Sequence, residues 1–240
     1  MKSFVGRWSF VPSAVLFWTA CWSTAASGHF VWIETSSEGK ETLVRAGFGE
    51  AGGWDPDLID KIKNSRFWTR AAGGATAPLA IAVDEKEKEY RTKIEGERPA
   101  AVLAATDYGV IQFGKFPPSW LRYTSKHLTG APGEWNDKTP TKELRVELLA
   151  EHDGDAVKLQ ALFLGKPLAE ATIKGETPDG KNVELKTDAE GRARWPVSGP
   201  GLYSCFVGAT TETPGELERK KYEVLKDYAA LNFRIGEAKP

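Results

Sequence analysis

The chain has 240 residues, 27% charged and 41% hydrophobic, with 24 Gly and 14 Pro, a turn-rich globular composition that carries too much charge for a multi-span membrane protein. Its formal charge is -1, and without Lys2 and Arg7 near the start it holds 30 basic against 33 acidic side chains, or -3. A phosphate-tracking role needs a basic footprint, so nucleic-acid binding is excluded.

The first residues follow the grammar of a secretory leader. Lys2 and Arg7 form a short basic region, Phe10 to Trp22 an apolar stretch, and Ala25-Ala26-Ser27-Gly28 a small-residue cleavage site. The apolar stretch contains Pro12 and falls well short of the roughly 20 residues that span a bilayer. Residues 1–28 are therefore expected to be a signal peptide cut before His29, which places the mature chain in the periplasm or outside the cell with no membrane span. A competing reading makes Cys21 the lipidated residue of a lipoprotein. Cys21 and Cys205 are the two cysteines, so once the leader is removed Cys205 has no partner within the chain and a disulfide scaffold is excluded.

After the leader, His29 to Glu34 and Thr42 to Phe48 are β-branched and aromatic, with Ser36 to Lys40 as a turn, which predicts an opening hairpin. Asp55-Pro56 then starts a short helix over Asp57 to Lys63, with Leu58, Ile59 and Ile62 on one face behind an acidic first turn. Phe67 to Arg70, Leu79 to Val83, Tyr90 to Ile94 and Thr106 to Phe113 are further strand candidates. The turn-rich segment Gly130 to Lys142 marks a domain boundary. Beyond it, Leu144 to Leu149, Ala156 to Phe163, Glu170 to Lys174, Val183 to Lys186, Ala193 to Val197, Leu202 to Val207 and Ala229 to Ile235 are short strands at the spacing of a sandwich. The expected fold is all-β: two β-sandwich domains, Ig-like or prealbumin-like, over 29–142 and 143–240, with one short helix in the first.

Turn chemistry sharpens the second half. Pro178-Asp179-Gly180 predicts a hairpin turn because Gly tolerates positive φ, and Thr187-Asp188-Ala189-Glu190-Gly191 predicts the next. Gly201 with Tyr203 has the spacing of a tyrosine corner that pins a strand. Tyr203, Cys205 and Val207 alternate onto one face, which makes Cys205 a buried, inert thiol.

With Gly165-Lys166-Pro167-Leu168 before them and Pro200-Gly201-Leu202-Tyr203 after them, these turns resemble the carboxypeptidase-regulatory, prealbumin-like module, a binding unit without chemistry of its own. The order His29-Phe30-Val31-Trp32, Phe48-Gly49-Glu50, Leu58-Ile59-Asp60-Lys61-Ile62, Tyr108-Gly109-Val110, Tyr123-Thr124-Ser125-Lys126, Thr213-Pro214-Gly215-Glu216 and Tyr228-Ala229-Ala230-Leu231 extends the likeness over nearly all the mature chain. It resembles the DUF4198 family, exported proteins associated with uptake of nickel or other transition metals and common in planctomycete-like bacteria. The resemblance implies a periplasmic or surface protein that handles nickel or copper, or presents it to an envelope transporter. The chain departs from that pattern where histidines recur in relatives, near positions held here by Ala209, Leu217 and Asp227.

The chemistry legible from residues is sparse. Cleavage before His29 gives an N-terminal α-amine and imidazole that together chelate Ni(II) or Cu(II) in tetragonal geometry. Glu50 and His127 complete the candidate metal ligands, although His127 and His152 each lack a ligand-spaced partner and also fit surface histidines. Tyr123 and Lys126, or Glu50 beside Gly47 and Gly49, are candidates for a pocket between the domains, with structural pairing as the alternative. Glu151-His152-Asp153-Gly154-Asp155 lacks EF-hand spacing and reads as a solvated turn. No G-x-S-x-G, H-E-x-x-H, Walker or dinucleotide motif occurs, so no enzyme activity is expected. The rival to metal handling is a structural or interaction protein of the cell envelope that binds a cell-surface protein or glycan.

Overall fold

The computed structural model describes residues 29–50, 53–135 and 137–236; the expected signal peptide and Cys21 lie outside them. The first hairpin is β1 (Phe30–Glu38) and β2 (Glu41–Gly49), joined by a tighter turn than expected, with Gly39 at φ +66°. A 3-10 helix, Pro56–Ile62, follows. Asp55 caps it by accepting from the Asp57 N–H, Pro56 opens it, and Ile59 and Ile62 are its buried face. Then come β3 (Arg66–Arg70), β4 (Thr76–Pro78), β5 (Ala82–Asp84), β6 (Glu89–Glu95), β7 (Ala101–Ile111) and β8 (Ser119–Leu128). A second one-turn 3-10 helix, Pro132–Glu134, leads to β9 (Val146–Asp153), β10 (Ala156–Phe163), β11 (Lys166–Pro167), β12 (Thr172–Glu176) and β13 (Asn182–Lys186). The last three are β14 (Arg192–Pro196), β15 (Gly201–Leu217) and β16 (Lys220–Ile235).

The fold is all-β, with sheets packed face to face. An eight-stranded sheet in the order β13-β12-β15-β16-β8-β7-β3-β4 lies at the centre. Against one face packs β1-β2-β6-β5, and against the other β9-β10-β14 with β11. Central strands feed both cores by alternation. In β7, Ala101 and Leu103 face β9 and β10 while Val102 and Ala104 face β1 and β2. In β16, Ala229, Leu231 and Phe233 take the first side and Ala230 the second. The boundary expected at 142/143 falls between β8 and β9. Strands from its two sides share the central sheet through a parallel ladder from Ser119↔Val224 to Leu128↔Phe233.

Several local expectations need correction. The run Leu79 to Val83 is not one strand: β4 ends before it and β5 begins within it, in different sheets. Thr187 to Gly191 is a turn, closed by the Gly191 N–H to the Asp188 carbonyl at 3.0 Å, but not a hairpin, because it carries the chain from β13 in the central sheet to β14 in an outer one. The Thr177 to Gly180 turn does join a hairpin, β12 with β13, and Gly180 has φ +76°. The tyrosine corner is present: the buried Tyr203 hydroxyl donates to the Gly199 carbonyl at 2.6 Å and accepts from the Ser198 and Gly199 N–H groups at 2.9 and 3.1 Å. Cys205 is fully buried, and burial pushes its thiol pKa up.

Candidate functional site

The candidate residues fall at three places. At the first, the β1–β2 ladder ends on the pair Phe30↔Gly49, and His29 and Glu50 are the chain neighbours of that pair, outside the strands. The His29 ring centroid lies 5.8 Å from that of Phe48. The loop after Glu50 folds back on the strand ends: Gly53 N–H donates to the Glu50 carbonyl at 3.2 Å and Asp55 N–H to the Phe48 carbonyl at 2.9 Å. A side chain on Gly47 or Gly49 would collide with Trp54, so these glycines are where that fold-back makes its close approach. Glu50 is exposed and His29 half-buried.

Tyr123 lies beneath this end. Its ring is 5.7 Å from Phe48, 5.9 Å from Phe30, 5.7 Å from Tyr108 and 5.6 Å from Tyr228. Burial, and secondarily its tyrosine neighbours, push the Tyr123 phenol well above its usual range. The ring is a core piece between β1 and the central sheet.

The second place is the opposite face of β8. Ser125 donates to the Val31 carbonyl at 2.6 Å, toward β1, whereas Thr124 donates to the Val146 carbonyl at 2.6 Å, toward β9. Tyr123 and Lys126 therefore point to opposite faces and line no common pocket. Lys126 is 2% exposed. Its Nζ donates to both oxygens of Asp137, at 2.8 and 2.7 Å, and to Glu147 Oε1 at 2.8 Å. Arg70, from β3, donates to Asp137 Oδ1 at 2.7 Å and stands 3.8 Å from Glu147 Oε1. The Ala150 N–H reaches Asp137 Oδ2 at 3.0 Å. Thr141 donates to Glu147 from its backbone N–H (2.7 Å) and its hydroxyl (2.9 Å). Two formal cations thus meet two carboxylates among buried side chains, with four strand or linker segments supplying one group each.

His127 is the third place. Paired with Asn232 across the β8–β16 ladder and with Val102 across β7, it is 3% exposed rather than a surface histidine. Asn232 donates to the Ile33 carbonyl at 2.5 Å, which sets His127 level with Ile33, four residues along β1 from His29 or roughly 13 Å at strand rise. The sheet does not bring His127 to His29 and Glu50. Burial lowers the His127 pKa to about 4, a hydrogen bond with Asn232 opposes the shift, and Nδ1 has no partner among the described residues. Among those residues no three His, Cys, Asp or Glu side chains are grouped to hold a metal ion. His152 is the last residue but one of β9, and its ring meets Trp135 edge-on at 6.4 Å.

Outside these places, the β7–β8 turn holds Phe113 and Phe116 at 68% and 69% exposure. Nearby, Trp120 packs against Tyr222 at 5.4 Å, and the Arg122 guanidinium lies 4.7 Å over the Trp120 ring. Arg122 and Arg145 both bind Asp227, at 2.7 and 3.2 Å, so one position where relatives were expected to carry histidine holds a buried carboxylate between two arginines. An open groove of about 630 Å³ runs over the outer face of β9, β10 and β14, with Asp137 at its margin and Lys138, Lys158, Arg192 and Arg194 along it. Sequence reading missed Arg70, Asp137, Glu147 and Thr141. The available signal was a lysine among Thr, Ser and His in a stretch bounded by apolar residues, Leu121 to Leu128. No protein-family model matches the chain, and no curated protein matches it.

Proposed function

We propose that the chain is an exported, non-catalytic binding protein of the DUF4198 type, and that it holds Ni(II) or Cu(II) at the open end of the β1–β2 hairpin for delivery to an envelope transporter. The observation that supports the reading is the last pair of the hairpin, Phe30↔Gly49, whose chain neighbours are His29 and Glu50. With cleavage before His29, the α-amine and imidazole of one residue form a chelate and the Glu50 carboxylate supplies an oxygen from beyond the end of β2. The neutral amine that coordination needs is accessible near pH 7.7–8.0, roughly the ordinary pKa of an α-amino group. The experiment is calorimetric titration of protein beginning at His29 with Ni(II) and with Cu(II), beside protein with one residue added before His29 and beside Glu50→Gln. Tighter binding by the native start, weakened in both comparison proteins, supports the reading. Equal affinity in all three sinks it.

One observation favours a second reading, an envelope interaction protein: Phe113 and Phe116 stand exposed on the β7–β8 turn next to the Trp120–Tyr222 pair, and large exposed aromatics mark contact surfaces for protein or glycan. Envelope components retained on the immobilised protein with metal chelated throughout, and lost with Phe113→Ser and Phe116→Ser, would support it. Partners seen only with metal present would favour the first reading.

A further inference from the structure

We propose that Lys126 and Asp137 condense to an intramolecular amide inside the folded protein, with Glu147 as the proton carrier. The grounds are the geometry of the buried cluster. Lys126 Nζ lies 2.8 and 2.7 Å from the two oxygens of Asp137, so the carboxyl carbon between them is held within reach of the nitrogen, in an interior where both side chains are at most 3% exposed. Holding a nucleophile and an electrophile together in this way replaces the entropy of a bimolecular encounter. Glu147 Oε1 touches the same Nζ at 2.8 Å, and its own position is fixed by two donors from Thr141. Arg70 donates to Oδ1 of Asp137 and the Ala150 N–H to Oδ2, which are donors aimed where negative charge develops when the carbon becomes tetrahedral.

The step balances without a cofactor. A proton passes from the Lys126 ammonium to Asp137 Oδ1, and the free amine pair adds to the carbon of the neutral carboxyl to form the Nζ–Cγ bond. Charge moves onto the carboxyl oxygens, where Arg70 and the Ala150 N–H hold it. Oδ1 shares the Arg70 Nη1 with Glu147 Oε1, so it is the oxygen on the Glu147 side and the one that leaves. Oδ1 already carries the first proton; Glu147 takes the second from the nitrogen and passes it to Oδ1, the Cγ–Oδ1 bond breaks, and one water departs. An ammonium and a carboxylate become an amide and water, with no change of oxidation state. Asp137 borders the groove over β9, β10 and β14, which gives the water a way out. The product keeps Arg70 facing Glu147, one formal charge of each sign. Removing the other two charges from the interior relieves the desolvation that a buried ion pair carries.

The bond would tie β8 to the linker before β9 across 11 positions of sequence. The experiment is mass spectrometry of the full folded protein after unfolding in denaturant. We expect a chain lighter than its sequence by one water, and a branched proteolytic peptide joining the Lys126 and Asp137 segments. Glu147→Gln should restore the full mass. Thr141→Ala, a milder change, should slow the cross-link during refolding. Full mass in the wild type, with linear peptides covering both residues, overturns the proposal. So does a lost water that maps to Asp153-Gly154 or Asp179-Gly180, where cyclisation onto the following glycine nitrogen gives the same mass. A cross-link that forms equally fast in Thr141→Ala and Glu147→Gln overturns the role of Glu147.

Discussion

The two faces of the central sheet are each covered by a smaller sheet, and they solve the burial in different ways. Toward β1 and β2 the interior is aromatic: Phe30, Phe48, Tyr108, Tyr123 and Tyr228 meet ring to ring, and polar side chains there are spent on single backbone carbonyls, Ser125 on Val31 and Asn232 on Ile33. Toward β9 the interior is mostly aliphatic, but it encloses Arg70, Lys126, Asp137 and Glu147. Apolar surfaces tolerate substitution in proportion to volume, whereas a closed set of charges tolerates only changes that keep its balance. One strand, β8, therefore obeys two rules on alternate residues.

The charged face should respond most. Asp137→Ala leaves two cations facing one carboxylate, and we expect a loss of about 3–5 kcal/mol in urea unfolding. Lys126→Met combined with Glu147→Leu keeps the Arg70–Asp137 pair and should cost less than either change alone. Additive losses in that double variant would remove the distinction between the faces.

The aromatic face contains one group that makes it sensitive to pH. His127 titrates near 4 when folded, against about 6.5 for a free histidine. Above 6.5 both states are neutral at this site. As pH falls from about 6.5 toward 4 the unfolded chain binds a proton that the folded chain refuses, so stability is lost over that window, by up to about 3 kcal/mol. Chemical denaturation at intervals from pH 7 to pH 4 should show this loss, and it should be absent in His127→Gln.

Smaller effects set the baseline for each side. Tyr203→Phe removes the hydroxyl that serves Ser198 and both backbone groups of Gly199, and thermal unfolding should register a cost of about 1–2 kcal/mol. Phe30→Leu, an apolar swap among rings, should cost about 1 kcal/mol. A larger loss than for Tyr203→Phe would mean that ring geometry, not volume, holds the aromatic face.

These two rules also explain what could be read from the sequence. The opening hairpin, β3, β6, β10, β13 and the corner at Tyr203 were foreseeable, because each depends on a local turn or on one-sided alternation. The strand β8 was not. With both faces buried, alternation disappears, and Thr124, Ser125, Lys126 and His127 look like a solvated stretch unless their partners at Val146, Val31, Asp137 and Asn232 are known. The ends of β15 and β16 were missed because Thr210 to Glu223 is polar and contains Thr213-Pro214, which a register shift between Glu212 and Gly215 accommodates. His29 and Glu50 were singled out separately, and the hairpin register, which closes on Phe30↔Gly49, puts both at the same end of β1 and β2. Asp137 was hidden in a segment whose Gly and Pro content marked it as a connection.

The parallel ladder between β8 and β16 has a consequence for the order of assembly. Its partners are 105 positions apart, as the Arg122 to Asp227 bond marks, and β16 is formed by the final described strand. Until that strand arrives, β8 has an unpaired edge, and Ala230 and Phe233 are missing from the two cores they complete. Closing so long a loop is slow and leaves strand edges open to pairing with other chains. Neither half can finish early. A chain emerging from its amino end must be kept from neighbours until its last fifteen or so described residues are in place, so holding factors should engage it through most of its emergence and release it only at the end.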